Sequence, residues 1–171
     1  MPEASRSDDL DAMRQLAHTP GDSSSLRELR AEGKKTARER ISQLLDKGSF
    51  VEVDSFVQHR AGDHNMHLHR PLGDGVVAGH GMIDGRRVVF FAQDYAGFSG
   101  TMGEMHAKKV AKVAEFAEKS QLPLIGIWDG DGQRVEEGVT SLGATGELLD
   151  ILVASSGRIP MFSLVLGTVS G

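Results

Sequence analysis

Two short apolar runs, Leu124–Trp128 and Met161–Leu166, each lead into a glycine-containing turn, and a helical stretch, Ser141–Ala154, lies between them. Runs of this length, free of charge and bounded by glycine or proline, read as buried strands. Strand, glycine turn, helix, strand is the order of a βαβ unit. It predicts a layered α/β fold with parallel strands and ligand sites at the strand ends. No internal repeat is present, so the sheet is built from dissimilar units.

The first half supplies the rest of such a sheet. Thr36-Ala37-Arg38-Glu39 reads as a capping box, in which the Thr hydroxyl accepts an orphan amide and the Glu carboxylate reaches back. Ile41, Leu44 and Leu45 give the following helix its apolar stripe, with Gly48 as its stop. Phe50–Val53 alternates like a strand. Gly75–Ile83 and Arg86–Ala92 flank Asp84-Gly85, a hairpin signal in which both central residues need positive φ. Glu104–Ser120 places Val110, Val113, Ala114 and Ala117 at helical spacing, and Pro123 stops it. Residues 1–32 are polar, with two short helical pieces around Asp8–Leu16 and Ser25–Glu32, and form an N-terminal arm to a single unit over 33–171.

Composition narrows the function. The 171 residues carry a net charge of -5, which argues against nucleic acid as main partner. There is no cysteine, which excludes disulfides, thiolate metal sites and a cysteine nucleophile. The acidic N-terminus has no signal-peptide run and no stretch reaches membrane-spanning length, so a cytoplasmic location and no membrane partner are expected.

Glycine turns follow the apolar strands at Gly97–Gly103, Gly130–Gly132 and Gly167–Gly171. Glycine admits close backbone approach, and turns at helix N-termini present amide donors to an anion. An oxyanion forming on a thioester needs such fixed amides. For any single one, an ordinary strand-to-helix turn is the better explanation, and only their recurrence points to a site. Asp129 and Arg134 flank the middle turn, and either bind a phosphate or carboxylate or form a structural ion pair. His59, His64, His67 and His69 fall in an exposed loop, where a metal site is less favoured than a solvated segment. His106 near a helix start reads as a local hydrogen-bonding group. Asp94 with Tyr95, and Lys108 with Lys109, are candidates for a phosphorylated ligand, although at least one lysine belongs to a solvated helix face. Trp128 reads as core. Ser99 has no partners in the sequence for a serine triad.

In order along the chain, Gly33–Ile41, Gly48–Glu52, Gly73–Gly81, Phe91–Tyr95, Gly100–Glu104, Glu137–Gly143 and Ile159-Pro160 resemble segments of the carboxyltransferase (β) subunit of biotin-dependent acyl-CoA carboxylases. The same group contains the methylmalonyl-CoA decarboxylase-like proteins. The resemblance implies a crotonase-like α/β fold of stacked ββα units, of which this chain is an incomplete N-terminal domain, roughly the first third of a subunit. It implies acyl-CoA as substrate, with biotin carried by a biotin carboxylase or carrier partner. It also implies a homo-oligomer, or association with the C-terminal half of a split subunit.

Carboxyl transfer from biotin to the carbon α to the thioester would then proceed through an enolate held by backbone amides. Gly171 and Ser170 stand where the family's later oxyanion turn lies. Gly130, Gly132, Arg134, Gly100 and Gly103 fall in the CoA-binding segments. An acyl-CoA decarboxylase component and a catalytically degenerate CoA-binding or assembly module are the alternatives. The family's DSGGAR reads here as Asp129-Gly130-Asp131-Gly132-Gln133-Arg134, so Asp131 puts a charge where a glycine is typical. The chain is expected to be inactive alone and to associate through an exposed apolar face.

Overall fold

The computed structural model describes residues 6–19, 21 and 23–170. Helices α1 (Arg6–His18), α2 (Ser23–Ala31) and α3 (Ala37–Leu44) precede strand β1 (Val51–Val53). Then come β2 (Val76–Ile83), β3 (Arg86–Gln93), α4 (Glu104–Ser120), β4 (Leu124–Gly130), α5 (Val139–Ser155) and β5 (Met161–Val169). They form one five-stranded sheet in the order β1-β2-β3-β4-β5. β1, β2 and β3 run antiparallel, while β3, β4 and β5 are parallel.

Local chemistry accounts for the element ends. Thr36 accepts the Glu39 amide and the Glu39 carboxylate accepts the Thr36 amide, which completes the capping box of α3. The Arg30 hydrogen bond and the Thr36 amide hold the Glu39 carboxyl down at about 2. α3 ends at Leu44, before the expected stop at Gly48, because the Asp46 amide bonds to Met82 O and pulls the chain onto the end of β2. Asp84 (φ 48°) and Gly85 (φ 75°) make the expected hairpin turn. The Asp46 carboxylate accepts both of their amides, at 3.0 and 2.8 Å. α4 closes on Gln121 in the left-handed conformation, with Pro123 just beyond.

A strand order that advances in one direction, with crossovers of one hand, puts both crossover helices on the same side. α4 and α5 pack together on that side. Val110, Val113 and Ala114 meet Val89, Phe91, Leu124 and Leu148. The opposite face is covered by α3, where Ile41 and Leu45 pack on Phe90, Ile125 and Ile127. Phe90 and Phe91 therefore serve opposite cores, as the two-residue period of a strand requires. Each such side chain contributes about 1.5–3 kcal/mol by burial. The arm helices are tied to α3, with Arg38 donating to Ala17 O (2.8 Å) and Arg30 pairing with Glu39.

The expected buried strand at Met161–Leu166 is corrected. β5 lies at the sheet edge with Phe162, Leu164, Val165 and Leu166 all exposed. An apolar run shows that a strand can be covered, not that anything covers it. Among the described residues, no helix is long and apolar enough to cross a membrane.

Candidate functional site

Parallel strands β3, β4 and β5 deliver their C-terminal ends side by side, and the glycine turns meet there. The Asp131 amide donates to Ser99 O (3.1 Å), the Met102 amide to Gly132 O (2.8 Å) and the Arg134 amide to Met102 O (3.0 Å). Gly100 and Gly130 stack backbone to backbone. A Cβ on Gly130 would run into Gly100 O, and one on Gly100 into Asp129 O. A Cβ on Gly132 would come within 2.7 Å of Ser170 O. Only glycine permits this approach.

Between the β4 and β5 turns and α5 lies a cleft of about 330 Å³. Gly130, Gly132 and Ser170 line its polar end, and Trp128, Leu148 and Leu152 line its wall. Gln93 and Gln133 supply its amide side chains. No ionisable side chain lines it among the described residues. Trp128 is half-buried here, edge-on to Phe91 at 5.0 Å, so it joins core to cleft instead of being wholly core.

The other candidates separate from this cleft. Gly100 lies behind Gly130 as its backing. Gly103 caps α4, where a Cβ would sit 2.5 Å from Arg134 Nη1. Gly171 lies outside the described residues. Arg134 is buried, with Nη1 at 2.5 Å from Asp74 Oδ1 and 2.9 Å from Glu137 Oε1, and Nη2 donating to Thr101 O at 2.8 Å. Its plane lies over Phe98, 4.2 Å from the ring centre. The guanidinium is thus paired internally, as the structural ion-pair reading expects. Its partner is not Asp129, which instead faces Arg40 at 2.6 Å.

The α4 N-terminus is likewise filled. Glu137 accepts the Glu104 amide (2.6 Å) and Asp74 accepts the His106 amide (2.9 Å). These donors, aligned with the helix dipole, serve two carboxylates of the chain. Burial pushes the Asp74 carboxyl up, and Arg134 opposes that.

Four further expectations change. His59 is buried, not solvated, with Nε2 at 2.8 Å from His69 O. The His106 ring makes no hydrogen bond among the described residues, and its backbone amide donates to Asp74, 32 positions away. Burial, with Arg134 and Lys109 nearby, pushes that ring well below its ordinary pKa. Lys109 is buried, donates to Val76 O (2.7 Å) and is pushed down to about 8 by burial, whereas Lys108 is exposed and pairs with Glu104. Asp94 is buried and accepts the Ala96 amide, so it braces the loop after β3. Tyr95 donates to Asp131 Oδ2 (3.3 Å), and Lys34 lies 4.7 Å from its ring centre. Among the described residues, no cluster of three or more His, Cys, Asp or Glu could hold a metal.

The sequence missed the Asp74–Arg134–Glu137 network and the Arg40–Asp129 contact. Asp74 carries a signal, since it sits between two glycines and takes positive φ.

An α/β sheet with its turns massed at the ends of the parallel strands is the layout of the crotonase-like fold, here in incomplete form. Transcarboxylase 12S, in a crystal with methylmalonyl-coenzyme A and methylmalonic acid bound, superposes with a TM-score of 0.92 at 34% identity, over 98% of this chain and 33% of that one. A single-chain, multi-domain long-chain acyl-CoA carboxylase gives 0.80 at 25% identity, over 92% of this chain and 17% of that one. The carboxyl transferase domain model matches residues 28–171, and the chain belongs to that family.

Among curated relatives, the biotin-dependent acetyl-/propionyl-coenzyme A carboxylase beta5 subunit of Mycobacterium tuberculosis is 45% identical over 95% of this chain. The methylmalonyl-CoA decarboxylase subunit alpha of Veillonella parvula is 44% identical over 82% of it. The chain spans 30% and 28% of those relatives' lengths.

Proposed function

We propose that this chain forms the acyl-CoA-binding part of the carboxyltransferase of a biotin-dependent acyl-CoA carboxylase. One observation carries the reading. Among the described residues, the cleft at the strand ends has no ionisable side chain, while two backbone turns converge on it. Acid–base and nucleophilic catalysis by side chains both need a titratable or activated group in reach. Stabilisation of an oxyanion needs only fixed amides, and removing one such donor costs about 2.7–4 kcal/mol of catalysis in a well-studied case.

In this reading the thioester oxygen lies against the turn at Gly130–Gly132 and against Ser170, and the acyl chain runs along Trp128, Leu148 and Leu152. Carboxybiotin on a partner subunit supplies the carboxyl group and, once that group leaves, a base for the α proton. The chain's own residues orient the thioester, hold its developing negative charge and keep water from the apolar wall. Asp131, exposed beside the turn and linked to Tyr95, puts negative charge close to that oxyanion. The likeness to a decarboxylase subunit supports a second reading, in which the same enolate forms by loss of the carboxyl group.

Calorimetry with acetyl-CoA, propionyl-CoA and free CoA tests binding. A biotin carboxylase, carboxybiotin and a C-terminal carboxyltransferase half test turnover. Carboxylated product supports the leading reading. Net loss of CO2 from methylmalonyl-CoA supports the second. Binding without either leaves a CoA-binding or assembly module, and the absence of thioester binding removes all three.

A further inference from the structure

We infer that Arg40 and Asp129 form a positioning clamp, in which one buried carboxylate holds both glycine turns in register from beneath. This inference rests on the function proposed above for those turns. Asp129 is the penultimate residue of β4, just before Gly130, and is 1% exposed. Its backbone amide is fixed by Gln93 Oε1 at 3.0 Å, from the end of β3.

Its carboxylate points across to β5 and fills the space a side chain on Gly167 would need, since a Cβ there would collide with Oδ1. The single charge therefore touches the ends of two neighbouring strands, one leading to Gly130–Gly132 and the other to Ser170. Arg40 of α3 completes the arrangement. Its Nη2 lies 2.6 Å from Asp129 Oδ2 and 3.3 Å from Leu166 O, so one guanidinium reaches both strands.

Neither Asp129 oxygen accepts a hydrogen bond among the described residues, so the carboxylate is held by charge and packing. Among the described residues its ion pair is with Arg40 alone, with Lys34 near enough to feel the charge, so losing Arg40 strands a buried carboxylate. The arrangement is sensitive to both residues, and through them to the seating of α3, which lies on the opposite face from the cleft. Among the described residues β5 is paired on one side only, with β4, and the clamp ties its end to the β4 turn.

The test uses Asp129→Asn and Arg40→Lys in the full chain, with Arg158→Gln as control for losing an exposed ion pair with Glu118. Amide hydrogen exchange by NMR reads the turns without any ligand. Exchange at Gly130–Gly132 and at Gly167–Ser170 should rise together by about tenfold in both clamp variants. The amides of Phe90 and Val110 should change little. Arg40→Lys keeps the charge but shortens the reach, so it reports even where Asp129→Asn fails to fold.

The second readout is the affinity ratio between acetyl-CoA and its thioether analogue, which lacks the carbonyl. That ratio should fall by about tenfold while free CoA affinity stays within about twofold, because only the carbonyl senses the turns. Acceleration confined to one strand end, or spread evenly over the sheet, overturns the clamp. An unchanged ratio in a protein that binds thioesters also overturns it. A wild-type chain that binds no thioester defeats the proposed function, and the exchange data then judge the clamp by themselves.

Discussion

Replacing Arg134 by Met separates a structural arginine from a ligand-binding one. Arg134 neutralises two carboxylates that are almost wholly buried, with side-chain exposures of 0% for Asp74 and 2% for Glu137. Methionine fills much of the space but leaves both carboxylates without their cation. Removing one partner of a buried pair costs about 3–5 kcal/mol. For a chain of this size each kcal/mol lowers Tm by roughly 2–4 °C, so the loss should be about 6–20 °C.

Burial already outweighs the arginine at Asp74, whose carboxyl is pushed up from its ordinary value. A carboxyl raised in the folded state binds its proton more tightly there than in the unfolded chain. Without Arg134 that carboxyl rises further, so the deficit in Arg134→Met should shrink as pH falls through the variant's Asp74 value, above the wild-type one. Adding Asp74→Asn to Arg134→Met should recover at least about 1 kcal/mol by removing one stranded charge. Urea unfolding with a CD readout, at neutral and acid pH, measures all of this. A loss below about 1 kcal/mol, together with weakened CoA binding, would refute the reasoning and return Arg134 to the ligand.

Three further substitutions have defined expected outcomes. Lys109 titrates at about 8 when folded against an ordinary 10.5, so its penalty is complete below the folded value and relieved as pH rises towards the unfolded one. Wild type should gain about 2 kcal/mol relative to Lys109→Met between about pH 7.5 and about pH 9.5, and parallel pH curves for the two would contradict this. Tyr95, the single tyrosine, is raised by burial and then by Asp131, so ultraviolet titration should show its pKa dropping in Asp131→Gly. The same variant should bind acetyl-CoA about threefold tighter at low salt, an advantage that fades as salt is added. The exposed apolar residues of β5 should drive concentration-dependent association in sedimentation runs, reduced by Val165→Lys. A monodisperse monomer would argue against that role for the edge.

The local half of the fold was open to reading from sequence. The α4 stripe, the Thr36–Glu39 box and the Asp84-Gly85 hairpin each depend on residues a few positions apart, and all appear as expected. What escaped depends on residues far apart in the chain. Arg134 finds Asp74 sixty positions away, and Arg40 on α3 finds Asp129 at the far end of β4, eighty-nine positions on. No periodicity encodes such pairs. Lys109 and His59 are polar residues in segments that look solvated, and only tertiary packing buries them. The recurring glycines marked the strand ends where the cleft lies. They did not show that the first turn backs the second, nor that the α4 amides are already occupied by Asp74 and Glu137.

The account turns on backbone amides polarising a thioester at the ends of β4 and β5. The carbonyl 13C shift of bound [1-13C]acetyl-CoA reports that polarisation directly. A clear downfield displacement from the free ligand, abolished by filling the close approach with Gly132→Ala, is the predicted result. Binding with the carbonyl resonance left at its free position would contradict the account.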